Sequence, residues 1–296
     1  MKKFKLTTPI LFLVFNRLEN TKKVFSEIKK AKPKKLFIAA DGPRNSEEKE
    51  KTDAVRKYIL KNINWKCGVK TLFREKNLGC KYAVSGAIDW FFKNVEQGII
   101  LEDDCLPNQS FFRFCEELLE RYKNNEKILT ITGYNYLETS DLKESYYFSR
   151  YFECWGWATW KNKWKLYDIK MKNYNSKKSI FFNYLEKLLH NKKFRNNFEN
   201  KTNSWALPMF YTHFYYDKFC ITPKHSLIQN LGINPESTHT KEDKVDKKFF
   251  NNPQKELKFP LIHPAKINLN KKLTKKYLRK EFLRILLKKL KFINKK

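Results

Sequence analysis

The sequence predicts an α/β fold in which helices flank a doubly wound sheet, and three observations carry that expectation. From Pro9 to Thr132, short apolar runs alternate with stretches whose apolar residues recur at helical spacing, the pattern of parallel strands joined by helical crossovers. The runs end in turn or polar residues, Asn16-Arg17 and Asp41-Gly42-Pro43 among them. No internal repeat and no Ser/Gly-rich linker breaks the 296 residues, so the two halves read as one continuous unit.

Taken in order, Pro9 to Phe15 reads as a buried strand, too short for a signal peptide and followed by no small-residue cleavage site. Glu19 to Ala31 is a helix with Val24, Phe25 and Ile28 on one face. Lys35 to Ala40 is the second strand. Ser46 to Lys61 is a helix, with Ser46 as its N-cap. Val69 to Phe73, Lys81 to Phe92 and Gly98 to Leu101 give strand, helix and strand. A helix at Ser110 to Lys123 and a strand at Ile128 to Thr132 complete this half. The chain then turns aromatic and irregular through YYFSRYFECWGWATWKNKW. Helices are expected again at Ser179 to His190 and Trp205 to Phe219.

With 41% hydrophobic and 16% aromatic residues the chain is a folded protein. Its 62 Lys and Arg against 31 Asp and Glu, a net charge of +31, suggest an anionic partner. Enrichment in Lys, Asn, Ile and Phe explains part of that charge as composition carried on solvated faces. Six cysteines show neither CxxC nor metal-finger spacing, which suits free thiols in a reducing cytoplasm, and no run is long enough to span a bilayer.

Against this basic background, Glu102, Asp103 and Asp104 stand together directly after the strand Ile99-Ile100-Leu101. In an open α/β sheet, ligands bind beyond the carboxyl ends of the strands. Adjacent carboxylates repel one another unless a cation or a hydrogen-bond network compensates. Hard oxygen ligands at a strand end suit Mg²⁺ or Mn²⁺ bridging the protein to a diphosphate. The same triplet also reads as a solvated loop or as the N-cap of the next helix. There is neither GxGxxG nor GxxxxGK[ST], so a dinucleotide fold and a P-loop are unsupported. NLGC at Asn77 to Cys80 precedes a helix, where its N–H groups would suit phosphate or serve as a plain turn.

Six segments in order, TPILFLVFNRLENTKKVFSEI, AADGPR, REKNLGCKYAVSGAIDWFF, GIILEDDCLPNQSFFRFCEELLERY, CWGWATWKNKW and LIQNLGINPESTHT, resemble bacterial nucleotide-diphospho-sugar transferases of the GT-A type. These are hemolytic-protein-like and distantly similar to N-acetylglucosaminyltransferase I. The resemblance covers residues 8–242. It implies a Rossmann-like mixed sheet flanked by helices; a C-terminal amphipathic helix is expected beyond it from the residue pattern itself. The expected units are a GT-A domain over 1–264, with a nucleotide-binding half at 1–132 and an acceptor half at 133–264, then a basic helix at 265–296.

The resemblance also implies roles. Glu102-Asp103-Asp104 would be the Asp-x-Asp equivalent, Asp104 holding Mn²⁺ or Mg²⁺ on the donor diphosphate and Glu102 and Asp103 touching ribose or sugar. Phe15, Asn16 and Arg17, with Asp41 and Gly42, would cradle the nucleoside, and Arg74, Asn77 and Gly79 would close over base and phosphates. His239, after Thr238, would be a further metal or phosphate ligand. Trp155, Gly156 and Trp157 would shape the sugar pocket, as flat rings beside a close backbone suit a pyranose, though each Trp also reads as core. One departure stands out. Where many relatives carry Trp-Asp, this chain has Trp205-Ala206, so the acceptor-activating base is unassigned; Glu153 is the first replacement, then Asp217 and Glu199.

The expected activity is hexosyl or N-acetylhexosaminyl transfer from a UDP-sugar to a lipid-linked or cell-surface glycan such as lipopolysaccharide, lipooligosaccharide or capsule, at the cytoplasmic face of the inner membrane. Two rivals stay open. The charge suits a nucleic-acid-binding protein, although no motif supports one and the acidic triplet would repel phosphate. Ala206 suits a degenerate transferase that binds donor beside a partner. Finally, residues 265–296 carry 13 Lys and Arg against Glu281, and Leu278, Phe282, Leu286, Leu290 and Ile293 follow helical steps. That pattern predicts a helix lying on an anionic membrane surface, or an ordinary helix docked by the same stripe.

Overall fold

The computed structural model describes residues 4–137, 139, 141–172, 203–232, 250 and 252–293. Ser179 to His190, Glu199, Thr238 and His239 lie outside the described residues. The first half is built from β1 (Ile10–Val14), α1 (Leu18–Ala31), β2 (Lys35–Ala40), α2 (Ser46–Asn62), β3 (Gly68–Phe73), α3 (Gly79–Asn94) and β4 (Gln97–Glu102). A short β5 (Cys105–Pro107), α4 (Gln109–Arg121) and β6 (Ile128–Thr132) follow. The second half holds β7 (Tyr146–Ser149), β8 (Trp157–Trp160), a single turn α5 (Lys161–Trp164), α6 (Ala206–Tyr215), β9 (Phe219–Pro223), β10 (Ile228–Asn230) and α7 (Lys271–Ile293).

Eight strands form one sheet in the order β3-β2-β1-β4-β8-β6-β9-β7, and β5 pairs with β10 beside it. β1 runs parallel to both β2 and β4, and β2 parallel to β3. β8 enters antiparallel between β4 and β6, which makes the sheet mixed. Trp157 to Trp160, within the stretch expected to be irregular, is therefore a central strand. It was hidden because a four-residue aromatic strand shows no alternation to read.

The apolar runs read as continuous because the sheet is covered on both faces. β1 sends Ile10, Phe12 and Val14 to the face packed by α1, α2 and α4, and Leu11 and Leu13 to the face packed by α3 and α6. Helix α2 is capped by Asn45, not Ser46: the Asn45 side chain accepts from the Glu48 N–H at 2.9 Å, and the Glu48 carboxylate returns to the Arg44 N–H at 2.9 Å. Ser46 loses the role because an acceptor one residue earlier completes the reciprocal box with Glu48. Among the described residues, no helix is long and apolar enough to cross a membrane.

Candidate active site

The chain leaves β1 toward β2 and β3 on one side, then returns to place β4 on the other side of β1. Connections that diverge from neighbouring strands open a crevice at their carboxyl ends, here between β1 and β4. Phe15, Asn16 and Arg17 follow β1 there, and Asp103 and Asp104 follow β4. A cavity of about 410 Å³ lies at this point. It is lined by Phe15, Asn16, Arg17, Asp41, Arg74 and Asn77, by all three carboxylates of the triplet and by Trp155. Positions scattered over 140 residues of sequence are thus gathered at one strand-end crevice.

Arg17 bridges the crevice. Its guanidinium pairs with Asp103 and, at 3.0 Å, with Asp104, while the Phe15 N–H donates to Asp103 at 3.3 Å. Burial disfavours charge on Arg17, but Asp103 and Asp104 more than offset that and hold its pKa above the ordinary value. Burial, with the neighbouring carboxylates, pushes Glu102 and Asp103 up. The Trp205 indole partly relieves Glu102 by hydrogen bonding to it.

Four carboxylates, Asp41 and the triplet, face three guanidiniums, Arg17, Arg44 and Arg74, around this cavity. With all four carboxylates ionised the described lining carries a formal charge of −1, but burial and its neighbours push Glu102 up to about 8, so near neutral pH that surplus appears only when a bound cation draws the Glu102 proton off. Both Asp103 oxygens are already engaged, whereas Asp104 keeps one oxygen whose partner among the described residues is the Cys105 thiol at 3.4 Å, a weak donor. The residue here that could contribute an oxygen to a hard divalent cation is therefore Asp104. Among the described residues, no cluster of three or more His, Cys, Asp or Glu side chains is arranged to hold an ion unaided.

Several residues take other places than the sequence implied. Asp41 lines the cavity, but its carboxylate also accepts from the N–H groups of Leu78 and Gly79 at 3.1 Å, pinning β2 to the start of α3. The Gly79 N–H is thus taken up by Asp41 and Asn77, not offered to phosphate, and its φ of +75° explains the glycine. Gly42 is not in the lining: a Cβ there would collide with the Lys76 backbone, so the residue is fixed by close packing of two loops. Gly156 likewise packs on Ile228, and Trp157 is 0% exposed beneath Phe152 and Trp205, a core side chain and not a pocket wall. Trp160 and Trp164 are buried as well.

Of the three replacement bases, Glu199 lies outside the described residues, and Glu153 and Asp217 do not line the cavity. Glu153 turns to α7, where its carboxylate accepts from the Tyr277 hydroxyl at 3.0 Å, and burial raises its pKa to about 8. Asp217 sits before β9, at the amino ends of the parallel strands, with its side chain 73% exposed and paired to Arg150. The cavity-lining carboxylates among the described residues are Asp41, Glu102, Asp103 and Asp104. Arg44, Asn203, Ser204 and Trp205 line the cavity and were missed. Arg44 was legible in AADGPR, and Asn203 to Trp205 in the segment flanking Ala206, which also lines the cavity.

No protein-family model matches this sequence, and no curated protein sequence matches it. Solved structures similar to it include the mannosyltransferase of Pyrobaculum calidifontis in complex with GDP-Man and Mn²⁺, at 10% identity and a TM-score of 0.38, over 53% of this chain and 45% of that one. TarS residues 1–349 of S. aureus is similar at 10% identity and a TM-score of 0.45, over 77% of this chain and 61% of that one. The 4-diphosphocytidyl-2C-methyl-D-erythritol synthase of Anaerococcus prevotii is similar at 8% identity and a TM-score of 0.39, over 83% and 97%. This chain spans less than half of the mannosyltransferase it matches. At such scores the likenesses carry no weight for chemistry, which rests on the residues of the crevice.

Proposed function

We propose that this chain is a metal-dependent glycosyltransferase of the GT-A type that moves a hexosyl or N-acetylhexosaminyl group from a UDP-sugar to a lipid-linked or cell-surface glycan. The observation that carries this is the convergence of β1, β2 and β4 on one cavity, where guanidiniums and a surplus of carboxylates face each other. Phe15, Asn16, Asp41 and Asn77 suit the nucleoside, Arg17 and Arg74 the diphosphate, and Trp155 a sugar face. Asp104 is the residue to hold Mn²⁺ or Mg²⁺, which when bound would supply positive charge against the leaving diphosphate. Trp155 and Trp205 exclude water from that side, and Arg17 keeps Asp103 ionised beside the donor. Residues 1–264 form the catalytic unit in this reading.

The test is release of UDP from a panel of sugar nucleotides, with Mn²⁺ or with EDTA, alongside thermal stabilisation by each nucleotide. Turnover that needs the metal and falls about 100-fold or more in Asp104→Asn is expected; undiminished turnover in that variant would refute the metal assignment. A second reading has its own observation: among the described residues, no carboxylate outside Asp41 and the triplet lines the cavity. A degenerate transferase would bind nucleotide but not turn over with any acceptor. Ala206→Asp, which restores a carboxylate to the cavity wall, would then raise turnover from near zero.

A further inference from the structure

Helix α7 has two unlike faces. One face docks: Leu273 is buried, Tyr277 stacks on Tyr151 at 3.8 Å, Lys280 lies over Tyr136 at 4.2 Å, Arg284 over Phe250 at 5.3 Å, and Leu287 packs on the same core. These positions follow steps of four, three, four and three, one side of a helix. The expected stripe is not this one. Phe282 and Leu286 belong to the opposite side, where Phe282, Leu283 and Leu286 are 52%, 47% and 40% exposed. Lys275, Lys276 and Arg279 continue that exposed side toward the start of the helix. The one acid of residues 265–296, Glu281, is turned to the domain, accepting from the Tyr136 hydroxyl at 3.2 Å and pairing with Arg284.

We infer that this outer face of α7 docks on an anionic phospholipid surface. Three exposed apolar side chains in a row on a helix already fixed by its other face gain nothing from solvent, whereas a bilayer interface takes such side chains into its acyl boundary. Charge complementarity selects the occupant: the described exposed face is basic and apolar, and the segment carries a net +12 with its single acid turned inward. The helix lies in the interface and does not span it, consistent with its charge. This surface is separate from the cavity, so its test is independent of what the cavity binds.

The full-length protein is sedimented with vesicles of phosphatidylcholine alone and with vesicles containing about one-third phosphatidylglycerol. Binding is expected to the second only, and to be lost in about 0.5 M NaCl. Phe282→Ser with Leu286→Ser, and separately Lys275→Glu with Arg279→Glu, should each weaken binding about tenfold or more while leaving the melting temperature and nucleotide binding unchanged. Equal binding to both vesicles, or undiminished binding by either folded variant, overturns the inference. So does a self-association that Phe282→Ser abolishes in a protein that ignores vesicles, or capture by random oligonucleotides in place of lipid.

Discussion

The cavity has two unlike walls. The wall from β1, β2, β3 and β4 carries the ionic side chains that follow a strand within a few residues: Arg17, Asp41, Arg74, Asp103 and Asp104. The wall from the second half is dominated by Trp155 and Trp205 with the short segment Asn203 to Ala206, joined by Cys154, Asn230 and Gly232, and the Trp205 ring is set there by packing on Phe152 and Trp157. In a parallel sheet the fold itself carries strand-end residues to the ligand crevice, so position along the sequence is already position in the site. In the aromatic half, position depends on which ring packs on which. The two walls should therefore fail differently when mutated.

The sharpest break is expected at Arg17. Its removal leaves Asp103, which is buried, and Asp104 without their shared cation, and breaking a buried ion pair by deleting one partner costs about 3–5 kcal/mol. Arg17→Ala should lower stability by that amount in urea unfolding. Arg17→Ala with Asp103→Asn should recover a large part of it, because the uncompensated charge is gone. Simple additivity of the two single changes would show that the wall is not held electrostatically.

Trp157 and Trp155 test the opposite wall. Trp157→Ala opens a hole in a core shared with Phe152, Trp164 and Trp205 and should cost about 3–5 kcal/mol of stability. Its effect on nucleotide affinity, measured under conditions where the variant stays folded, should be small. Trp155, half-buried between Tyr134 and the cavity, should show the reverse, with a smaller loss of stability and a clear loss of donor affinity in Trp155→Ala. Equal effects of the two on affinity would place Trp157 back in the sugar pocket that the sequence alone suggested.

That contrast also sets what was legible. The first four strands and their helices appear close to where periodicity places them, and the acidic triplet stands where the switch-point rule needs it. Strand β8 and the split of α7 into a docked and an exposed face were not legible. A Trp in WGW looks alike whether it faces ligand or core, and a period of four reports a stripe without saying which side the domain takes. The Gly79 N–H is already satisfied by Asp41, a partner 38 positions earlier that no local motif could reveal. The place of Glu153 was hidden for the same reason: its partner Tyr277 lies 124 positions later.

The smallest expected effect sits at that contact, and it depends on pH. Burial raises the Glu153 carboxyl to about 8, and the Tyr277 hydroxyl partly counters this by donating to it. Because the folded state holds this proton more tightly than the unfolded chain, whose carboxyl titrates near 4.5, stability from Glu153 is full below about 4.5 and falls as pH rises toward 8. Tyr277→Phe removes a hydrogen bond to a neutral acid at low pH, worth about 0.5–1.5 kcal/mol, and one to a carboxylate above pH 8, worth about 1.5–3 kcal/mol. Its destabilisation should therefore grow with pH, whereas in Glu153→Gln the effect of Tyr277→Phe should be flat. Urea unfolding of the four proteins on either side of that titration separates these outcomes. A Tyr277→Phe effect that does not change with pH would mean that Glu153 does not change its protonation state across that range.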